Sequence, residues 1–378
     1  MRTHYQHLGA YSDLVAAARR NKTLWPKIKP GKAAQKMFLN TLNFAPGPAR
    51  PLKLKVEDRW TRDGVDGECL SWAVGYGPRT QAWVLRPAGA KGALPGVLAL
   101  HDHGGNKYFG KEKIAEGHDP AIAPLLAYRR QYYGDRPYAN ELARRGFTVM
   151  VPDVFLWGSR KITMELMAKQ LWNRVPLFDD TRPDPTAEEI ENYNDTASRY
   201  EHVVEKYLAV LGTTLSALIS FEDRVAAACL VRRHDVQPGG IGCVGLSGGG
   251  LRSCLLQATC TDIRAAVVVG LMATYASLLD HNICGHTWAL HPRGWSSKGD
   301  WPDIPCVRAP SPLMVQYDRE DELFTPRGMQ AAHRHIRAQY RAMGKPENYT
   351  GKVYPGLHKF DREMQADAFG WLEKQLQR

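Results

Sequence analysis

The sequence predicts an α/β protein whose central sheet is mostly parallel and is covered by helices on both faces. The evidence is that, after Gly92, short and almost wholly apolar runs alternate with helical patterns. Strands that are apolar throughout are buried on both faces, as in parallel sheets. The predicted strands are 95–100, 147–152, 240–246, 265–271, 312–317 and 351–354. Because ligands bind at the carboxyl ends of such strands, we expect the functional residues there.

The remaining elements follow from periodicity and turn residues. Segments that alternate polar and apolar residues predict antiparallel strands before the parallel part, at 52–60, 68–76 and 79–86. Helical patterns cover 138–145, 196–233, 248–260 and 361–377. Two irregular stretches, 157–195 and 280–309, predict lid-like insertions at the functional edge of the sheet.

Residues 1–50 predict a basic helical N-terminal arm, and residues 51–378 a single catalytic domain that carries both insertions. Of the formal net charge of +11, most lies in residues 1–59, which hold twelve Lys and Arg and three acids. Such an arm attracts anionic partners. Apolar residues run through it, which favours docking on its own domain or on a second copy in a homo-oligomer. No nucleic-acid-binding motif is present in the sequence, so we expect no nucleic-acid partner.

The composition also indicates the compartment. No apolar run reaches the roughly 18 residues that a membrane span needs, and residues 1–20 lack the apolar core of a signal peptide. We therefore expect a cytoplasmic protein that does not enter membranes, or an exported one if a leader has been removed. Seven scattered cysteines without a CxxC pair predict reduced thiols, with no zinc site built on cysteine pairs.

The segment Gly245-Leu246-Ser247-Gly248-Gly249 carries the strongest chemical signal. It matches G-x-S-x-G between a predicted strand and a predicted helix, the arrangement of a nucleophile elbow. The serine hydroxyl then stands above the sheet at the positive end of the helix. A glycine-rich phosphate turn is the alternative, but the segment fits neither the P-loop nor the dinucleotide-binding pattern. We predict that Ser247 is a nucleophile.

A serine nucleophile needs a general base and an acid that orients the base. His358 lies between the last predicted strand and the last helix, where the base of a serine hydrolase belongs. Four acids follow strand 312–317. Asp321, just before a Leu-Phe-Thr-Pro turn, is the predicted partner, and Asp318 is the alternative.

The tetrahedral intermediate of acyl transfer needs two hydrogen-bond donors. One predicted donor is the backbone N–H of Gly248. The other is the backbone N–H of His103, in the loop His101-Asp102-His103-Gly104-Gly105. We expect the two histidine side chains to brace this loop. His101, Asp102 and Trp157 are also candidates for contact with substrate.

A cluster of His, Cys and Trp lies in the second predicted insertion. Cys284 and His286 could ligate zinc or copper together with His281. Because the cluster lies in a loop with a tryptophan, we predict instead that Cys284, His286 and Trp288 wall the substrate pocket. We expect no metal and no organic cofactor.

Together these motifs resemble the α/β-hydrolase superfamily, and within it the acetyl xylan esterase-like and dienelactone hydrolase-like proteins. The resemblance covers residues 50–378. Its motifs are HDHGG at 101–105, GLSGG at 245–249, DWPD at 300–303, LFTP at 323–326 and GLHKF at 356–360. It implies an α/β-hydrolase fold with Ser247, His358 and Asp321 as a catalytic triad that works without a cofactor. Dienelactone hydrolases use cysteine, so serine favours ordinary esters; Asp102 stands where glycine is commoner.

The predicted function is that of a serine carboxylic-ester hydrolase that acts through an acyl-enzyme. The resemblance implies small, acetyl-type acyl groups, as in esters of carbohydrates. One alternative is a prolyl-oligopeptidase-like peptidase or amidase, because residues 245–250 match its G-x-S-x-G-G elbow. The preceding residues, however, contain no propeller repeat. The other alternative is a non-catalytic binding protein whose working surface is the basic arm.

Overall fold

A nine-stranded sheet runs through the protein in the order β1-β2-β3-β5-β4-β6-β7-β8-β9. The computed structural model describes residues 4–170, 177–182, 184–279 and 281–377. The strands are β1 (Leu52–Arg62), β2 (Val65–Ala73), β3 (Thr80–Pro87), β4 (Gly96–Leu100), β5 (Thr148–Pro152), β6 (Ile241–Leu246), β7 (Ile263–Val269), β8 (Leu313–Asp318) and β9 (Tyr349–Tyr354). Strands β1 to β3 and the β3–β5 pair are antiparallel, and all later pairs are parallel. The predicted mostly parallel sheet is confirmed.

The order in which the chain visits the strands determines where the sheet can form a ligand-binding crevice. From β4 the chain moves to β5 on one side, and it then returns to β6 on the other side of β4. Leu100 at the end of β4 pairs with Gly245 near the end of β6. The loops that leave β4 and β6 therefore diverge from a topological switch point, where α/β sheets bind their ligands.

Helices cover both faces of the sheet, as predicted. They are α1 (Leu14–Asn21), α2 (Lys32–Leu42), α3 (Ala123–Tyr132), α4 (Tyr138–Arg144), α5 (Met164–Gln170), α6 (Ala187–Val210), α7 (Leu215–Val231), α8 (Gly248–Thr259), α9 (Tyr275–Leu279), α10 (Pro326–Ala342) and α11 (Arg362–Leu376). Val97 and Ala99 of β4 belong to a core cluster shared with α4 and α11. Leu98 and Leu100 belong to the cluster shared with α7, α8 and α10. The strand alternation thus builds two cores, one on each face.

The prediction of one long helix over 196–233 is wrong, because two helices replace it. The first, α6, begins earlier, at a capping box that Thr186 and Glu189 form. It ends where Gly212 adopts a φ of +74°, and Thr214 then caps α7 through a hydrogen bond from Ala217. The two helices meet at an angle of 89°. The predicted irregular stretch 157–195 accordingly holds α5 and the first residues of α6.

The described parts of the chain hold no single helix that is long and apolar enough to cross a membrane; by length and composition alone, the bent α6–α7 pair passes that test.

Parts of the predicted segments lie outside the described residues. These parts are residues 1–3 of the arm, 171–176 and 183 of the first insertion, residue 280 of the second insertion, and residue 378.

The second half of the N-terminal arm packs into the main core. The Phe38 side chain of α2 is fully buried and meets the Trp295 ring edge-on, with ring centroids 4.9 Å apart. Gln35 donates a hydrogen bond of 3.0 Å to the carbonyl of Ala258 in α8. In contrast, Leu14 of α1 is 57% exposed. The arm therefore docks on its own chain through α2, whereas its role in a homo-oligomer stays a prediction.

We expect Phe38→Ala to lower the free energy of unfolding by about 3–5 kcal/mol, because it leaves a cavity under Trp295. Leu14→Ala, in the exposed part of the same arm, should cost less than about 0.5 kcal/mol. Urea unfolding followed by tryptophan fluorescence measures both. Equal losses for the two variants would contradict the docking of α2.

Candidate active site

The turn between β6 and α8 holds Ser247 in a backbone conformation that is rare for a residue with a side chain. Its φ is +55° and its ψ is −117°. The Ser247 amide donates a 2.8 Å hydrogen bond to the carbonyl of Val269 in the neighbouring strand, which fixes the turn against the sheet. A side-chain carbon on Gly249 would collide with the carbonyl of Leu100, and one on Gly245 would lie 2.5 Å from the same oxygen. The glycines of the motif are therefore a steric requirement of this turn.

His358 and Asp321 form the hydrogen bond that the sequence predicts for a general base and its acid. Nδ1 of His358 lies 2.8 Å from Oδ2 of Asp321, whose side chain is fully buried. The other carboxylate oxygen of Asp321 accepts a 2.9 Å hydrogen bond from the amide of Leu323. Nε2 of His358 is buried and finds no hydrogen-bond partner among the described residues. With its proton on Nδ1, the ring presents a free lone pair on Nε2.

Asp318, the alternative acid, lies beside this pair without contacting Nδ1. Its Oδ2 accepts a 3.3 Å hydrogen bond from the amide of Lys359, and its buried Oδ1 has no partner in the described part of the chain. Burial raises the pKa of the Asp318 carboxyl to about 7. The geometry thus brings Asp321, and not Asp318, to His358.

Among the described residues, one cluster has ligand atoms close enough to reach a single metal ion. It consists of Asp318, Asp321 and His358, whose ligand atoms lie within 4.8 Å of one another. Nδ1 of His358 and Oδ2 of Asp321 already bond to each other, so a metal there would have to replace that hydrogen bond. The donor set therefore fits a hydrogen-bonded base better than a metal centre.

The two predicted oxyanion donors lie side by side. A side-chain carbon on Gly248 would collide with the backbone nitrogen of His103 and would lie 2.9 Å from its Cβ. Gly248 begins α8, so its amide has no acceptor within the helix. His103, Ser247, Gly248 and His358 all line one cavity of about 240 Å³. Two backbone N–H groups, a serine and a histidine thus border the same small space.

The chain resembles known proteins in both sequence and structure. No protein-family model matches it. A Bacillus subtilis (strain 168) protein provisionally named hydrolase YtaP is 23% identical over 305 residues, which is 79% of this chain and 84% of that protein. A Bacteroides fragilis structure assigned provisionally as an acetyl xylan esterase superposes with a TM-score of 0.66 at 18% identity, covering 92% of this chain and 82% of its own.

A glucuronoyl esterase structure from Solibacter usitatus gives a TM-score of 0.58 at 13% identity, covering 90% of this chain and 91% of that one. The chain has the α/β-hydrolase fold. The resemblance stated from the sequence motifs is confirmed at this level. In this hydrolase fold, Ser247, Asp321 and His358 follow three different strands of the parallel sheet.

The HDHGG loop of the hydrolase fold is anchored by Asp102. The hydroxyl groups of Tyr128 and Tyr133 both donate to its carboxylate, and Nζ of Lys113 lies 3.4 Å from it. The same Lys113 nitrogen donates to the carbonyls of His103 and Asn106, at 3.3 and 3.1 Å. Asp102 also borders the cavity. The aspartate at a position where glycine is commoner is therefore held by a buried polar network below the loop.

The other predicted contact residues fall into two groups. His286 lines the cavity, donates a 3.0 Å hydrogen bond to the carbonyl of Leu323, and has its pKa lowered to about 4 by burial. His101 and Trp157 instead line a neighbouring void of about 20 Å³. Nδ1 of His101 lies 3.0 Å from the Asp102 carbonyl, and its Nε2 meets no partner in the described ranges.

Cys284 and Trp288 lie outside the cavity lining, near its rim. Cys284 is exposed, and its sulfur lies 3.6 Å from Nε2 of His7 in the arm. Trp288 is 41% exposed, and its indole N–H donates to Nδ1 of His202 at 2.8 Å. The structure thus separates the predicted cluster into one cavity residue, His286, and two rim residues.

Several cavity residues were missed from the sequence. Tyr128 and Tyr132 come from α3, which the sequence analysis did not predict, although their spacing of four residues suits one face of a helix. Four leucines complete the apolar walls; they are Leu246, Leu271, Leu290 and Leu323. A single leucine carries no sequence signal that distinguishes a cavity residue from a core residue.

The pKa of His358 is raised above its ordinary value of about 6.5. Burial by itself would lower it, but the hydrogen bond with Asp321 and the negative charges of Asp321, Asp318 and Asp102 outweigh burial. We therefore expect the rate at which a fluorophosphonate labels Ser247 to rise with pH through a midpoint above about 6.5, because only the neutral imidazole acts as a base.

Asp318→Asn should move that midpoint down, because it removes a carboxyl whose ionised form, present in part near its own pKa of about 7, favours the protonated ring. Labelling rates measured from about pH 5 to about pH 9 test this. A midpoint that does not respond to Asp318→Asn would contradict an effect of the Asp318 charge on the pKa of His358.

Proposed function

We propose that the protein is a serine carboxylic-ester hydrolase that works through an acyl-enzyme. The observation that carries the proposal is the shared cavity. A strained serine, a histidine with a free Nε2 and two adjacent backbone amides border it together. Acyl transfer needs a nucleophile, a general base and oxyanion donors within reach of one carbonyl group.

In the proposed reaction the Ser247 oxygen attacks the acyl carbon while Nε2 of His358 takes its proton. The carbonyl oxygen becomes an oxyanion that accepts hydrogen bonds from the amides of Gly248 and His103. When the carbon–oxygen bond to the alcohol breaks, His358 returns the proton to the departing alcohol. Water then attacks the acyl-serine, gives its proton to His358, and the carboxylic acid leaves as Ser247 regains its hydrogen.

The shape of the cavity supports a small acyl group. About 240 Å³ lies below the usual range of roughly 300–1,000 Å³ for drug-sized ligands, and four leucines and two tyrosines supply its apolar walls. Neither Lys nor Arg occurs among the described residues that line it, which favours an uncharged acyl group. Of the similar structures named above, one is assigned provisionally as an acetyl xylan esterase and the other is a glucuronoyl esterase. We therefore propose acetyl-type esters of carbohydrates as the substrate class.

We expect p-nitrophenyl acetate to be hydrolysed faster than the octanoate, because the cavity is small. Ser247→Ala should lower kcat by several orders of magnitude. Ser253→Ala is the matched control, because Ser253 is buried on the same helix and does not line the cavity. Initial rates with an ester series from acetate to octanoate provide the measurement.

Ester hydrolysis that survives in Ser247→Ala would contradict the proposed nucleophile. If the intact protein cleaved peptide substrates but no ester, the peptidase alternative would replace the esterase. Inertness toward both classes would leave the binding-protein alternative. Release of acetate from acetylated xylan oligosaccharides then tests the substrate class separately from the mechanism.

A further inference from the structure

Glu201 of α6 links two chain segments that border the cavity, although it is not one of the residues that line it. Its side chain is buried. Oε2 accepts hydrogen bonds from Nε2 of His103, at 3.1 Å, and from Nζ of Lys107. Oε1 accepts from the hydroxyl of Thr287, at 2.7 Å, and from the amide of Trp288, at 3.1 Å. One carboxylate therefore bonds to the loop after β4 and to the second insertion.

The contact with His103 fixes the ring completely. The amide of Gly105 donates a 3.1 Å hydrogen bond to Nδ1 of His103, so the ring hydrogen must lie on Nε2, which donates it to Glu201. The ring also meets Trp157 edge-on, with centroids 5.0 Å apart. Because the His103 ring is held at both nitrogens and packs against Trp157, the backbone of His103 has little freedom to move. That backbone supplies the proposed oxyanion donor.

The charge of the cluster is consistent with an ionised carboxylate. Burial alone would raise the pKa of Glu201, but Lys107 and the hydrogen bond from His103 hold it well below its usual range. The ammonium group of Lys107 is buried too, and it donates a further 3.3 Å hydrogen bond to the carbonyl of Ala197. Glu201 therefore accepts hydrogen bonds from four donors with its two oxygens, which satisfies the polar atoms of a buried carboxylate.

The other side of the cluster reaches the cavity wall. Thr287, which donates to Glu201, lines the cavity directly. Residues 103, 201 and 287 are remote in sequence and belong to a strand-end loop, a helix and an insertion. A displacement of Glu201 would consequently change the hydrogen bonds of both His103 and Thr287, two residues that line the cavity.

We propose that Glu201 is a positioning residue that holds the His103 amide in line with the Gly248 amide and sets the width of the cavity through Thr287. This inference rests on the proposed esterase function and extends it. Glu201 makes no contact with the reacting atoms in this assignment. It acts on the transition state through His103, so its loss should affect the tetrahedral species more than the bound substrate.

The test compares Glu201→Gln with Glu205→Gln. Glu205 lies one turn further along the same helix, is equally buried, and binds the amide of Leu215 and the guanidinium of Arg293, neither of which lines the cavity. In Glu201→Gln the side-chain NH₂ group replaces one of the two oxygens. It must then face donors, either those of His103 and Lys107 or those of Thr287 and Trp288. In p-nitrophenyl acetate hydrolysis we expect kcat to fall about 100-fold in Glu201→Gln with KM changed less than about threefold. Glu205→Gln should stay close to the parent enzyme.

A second readout separates positioning from a purely structural role. Phenylboronic acid adds to a serine oxygen and becomes a tetrahedral anion that occupies the oxyanion site. Its inhibition constant should rise in Glu201→Gln by about the same factor as kcat falls. A lower melting temperature with unchanged boronate affinity and unchanged kcat would overturn the inference and leave Glu201 as a fold-stabilising residue.

A third variant keeps the test decisive if Glu201→Gln does not fold. His103→Ala retains the backbone donor and removes the ring that Glu201 holds, so it should show the same paired loss of kcat and boronate affinity. Parent-like values in His103→Ala would contradict the inference. A failure of the proposed function would give a different result. Ser247→Ala would then hydrolyse p-nitrophenyl acetate at the rate of the parent enzyme, whatever the kcat of Glu201→Gln.

Discussion

The site depends on the close approach of two backbone segments, one at the end of β4 and one at the end of β6. Gly245 and Gly249 allow the carbonyl of Leu100 to come near the turn in which Ser247 adopts its positive φ. At the same place Gly248 lies so close to His103 that a side-chain carbon on Gly248 would collide with the backbone nitrogen of His103. The turn after β6, which carries Ser247, and the loop after β4, which carries the His103 amide, thus both require this close backbone approach. The parallel pairing of β4 with β6 supplies that condition by aligning the two strand ends.

Two buried carboxylates hold the loop after β4 in this position. Asp102 holds the loop from below through Tyr128, Tyr133 and Lys113. Glu201 holds it from the side, together with the second insertion. Each carboxylate is buried and surrounded by donors, so removing either would leave several buried polar groups without partners. The backbone of the proposed oxyanion site is therefore held by interactions that extend across α3, α6 and the loop after β7.

Much of this site could be predicted from the sequence, because it lies in short motifs at strand ends. Ser247 and His358 were found by their place after a strand, and Asp321 by its place before a Leu-Phe-Thr-Pro turn whose Thr325 and Pro326 start α10. Glu201 could not be found in this way, because one acid in a long helical pattern looks like any solvent-facing residue. The break between α6 and α7 was missed for a related reason: apolar periodicity continues across Gly212, and only the caps at Thr186 and Thr214 mark two helices.

The central claim is that an acyl group passes through Ser247, and mass spectrometry of the quenched enzyme tests it most directly. The protein would be mixed with p-nitrophenyl acetate, stopped with acid within the first turnovers, and digested. We predict one added acetyl group on the peptide that contains Ser247, formed at the rate of a p-nitrophenol burst and absent in Ser247→Ala. An acetyl group on another residue, or steady hydrolysis without any acylated peptide at Ser247, would contradict the account.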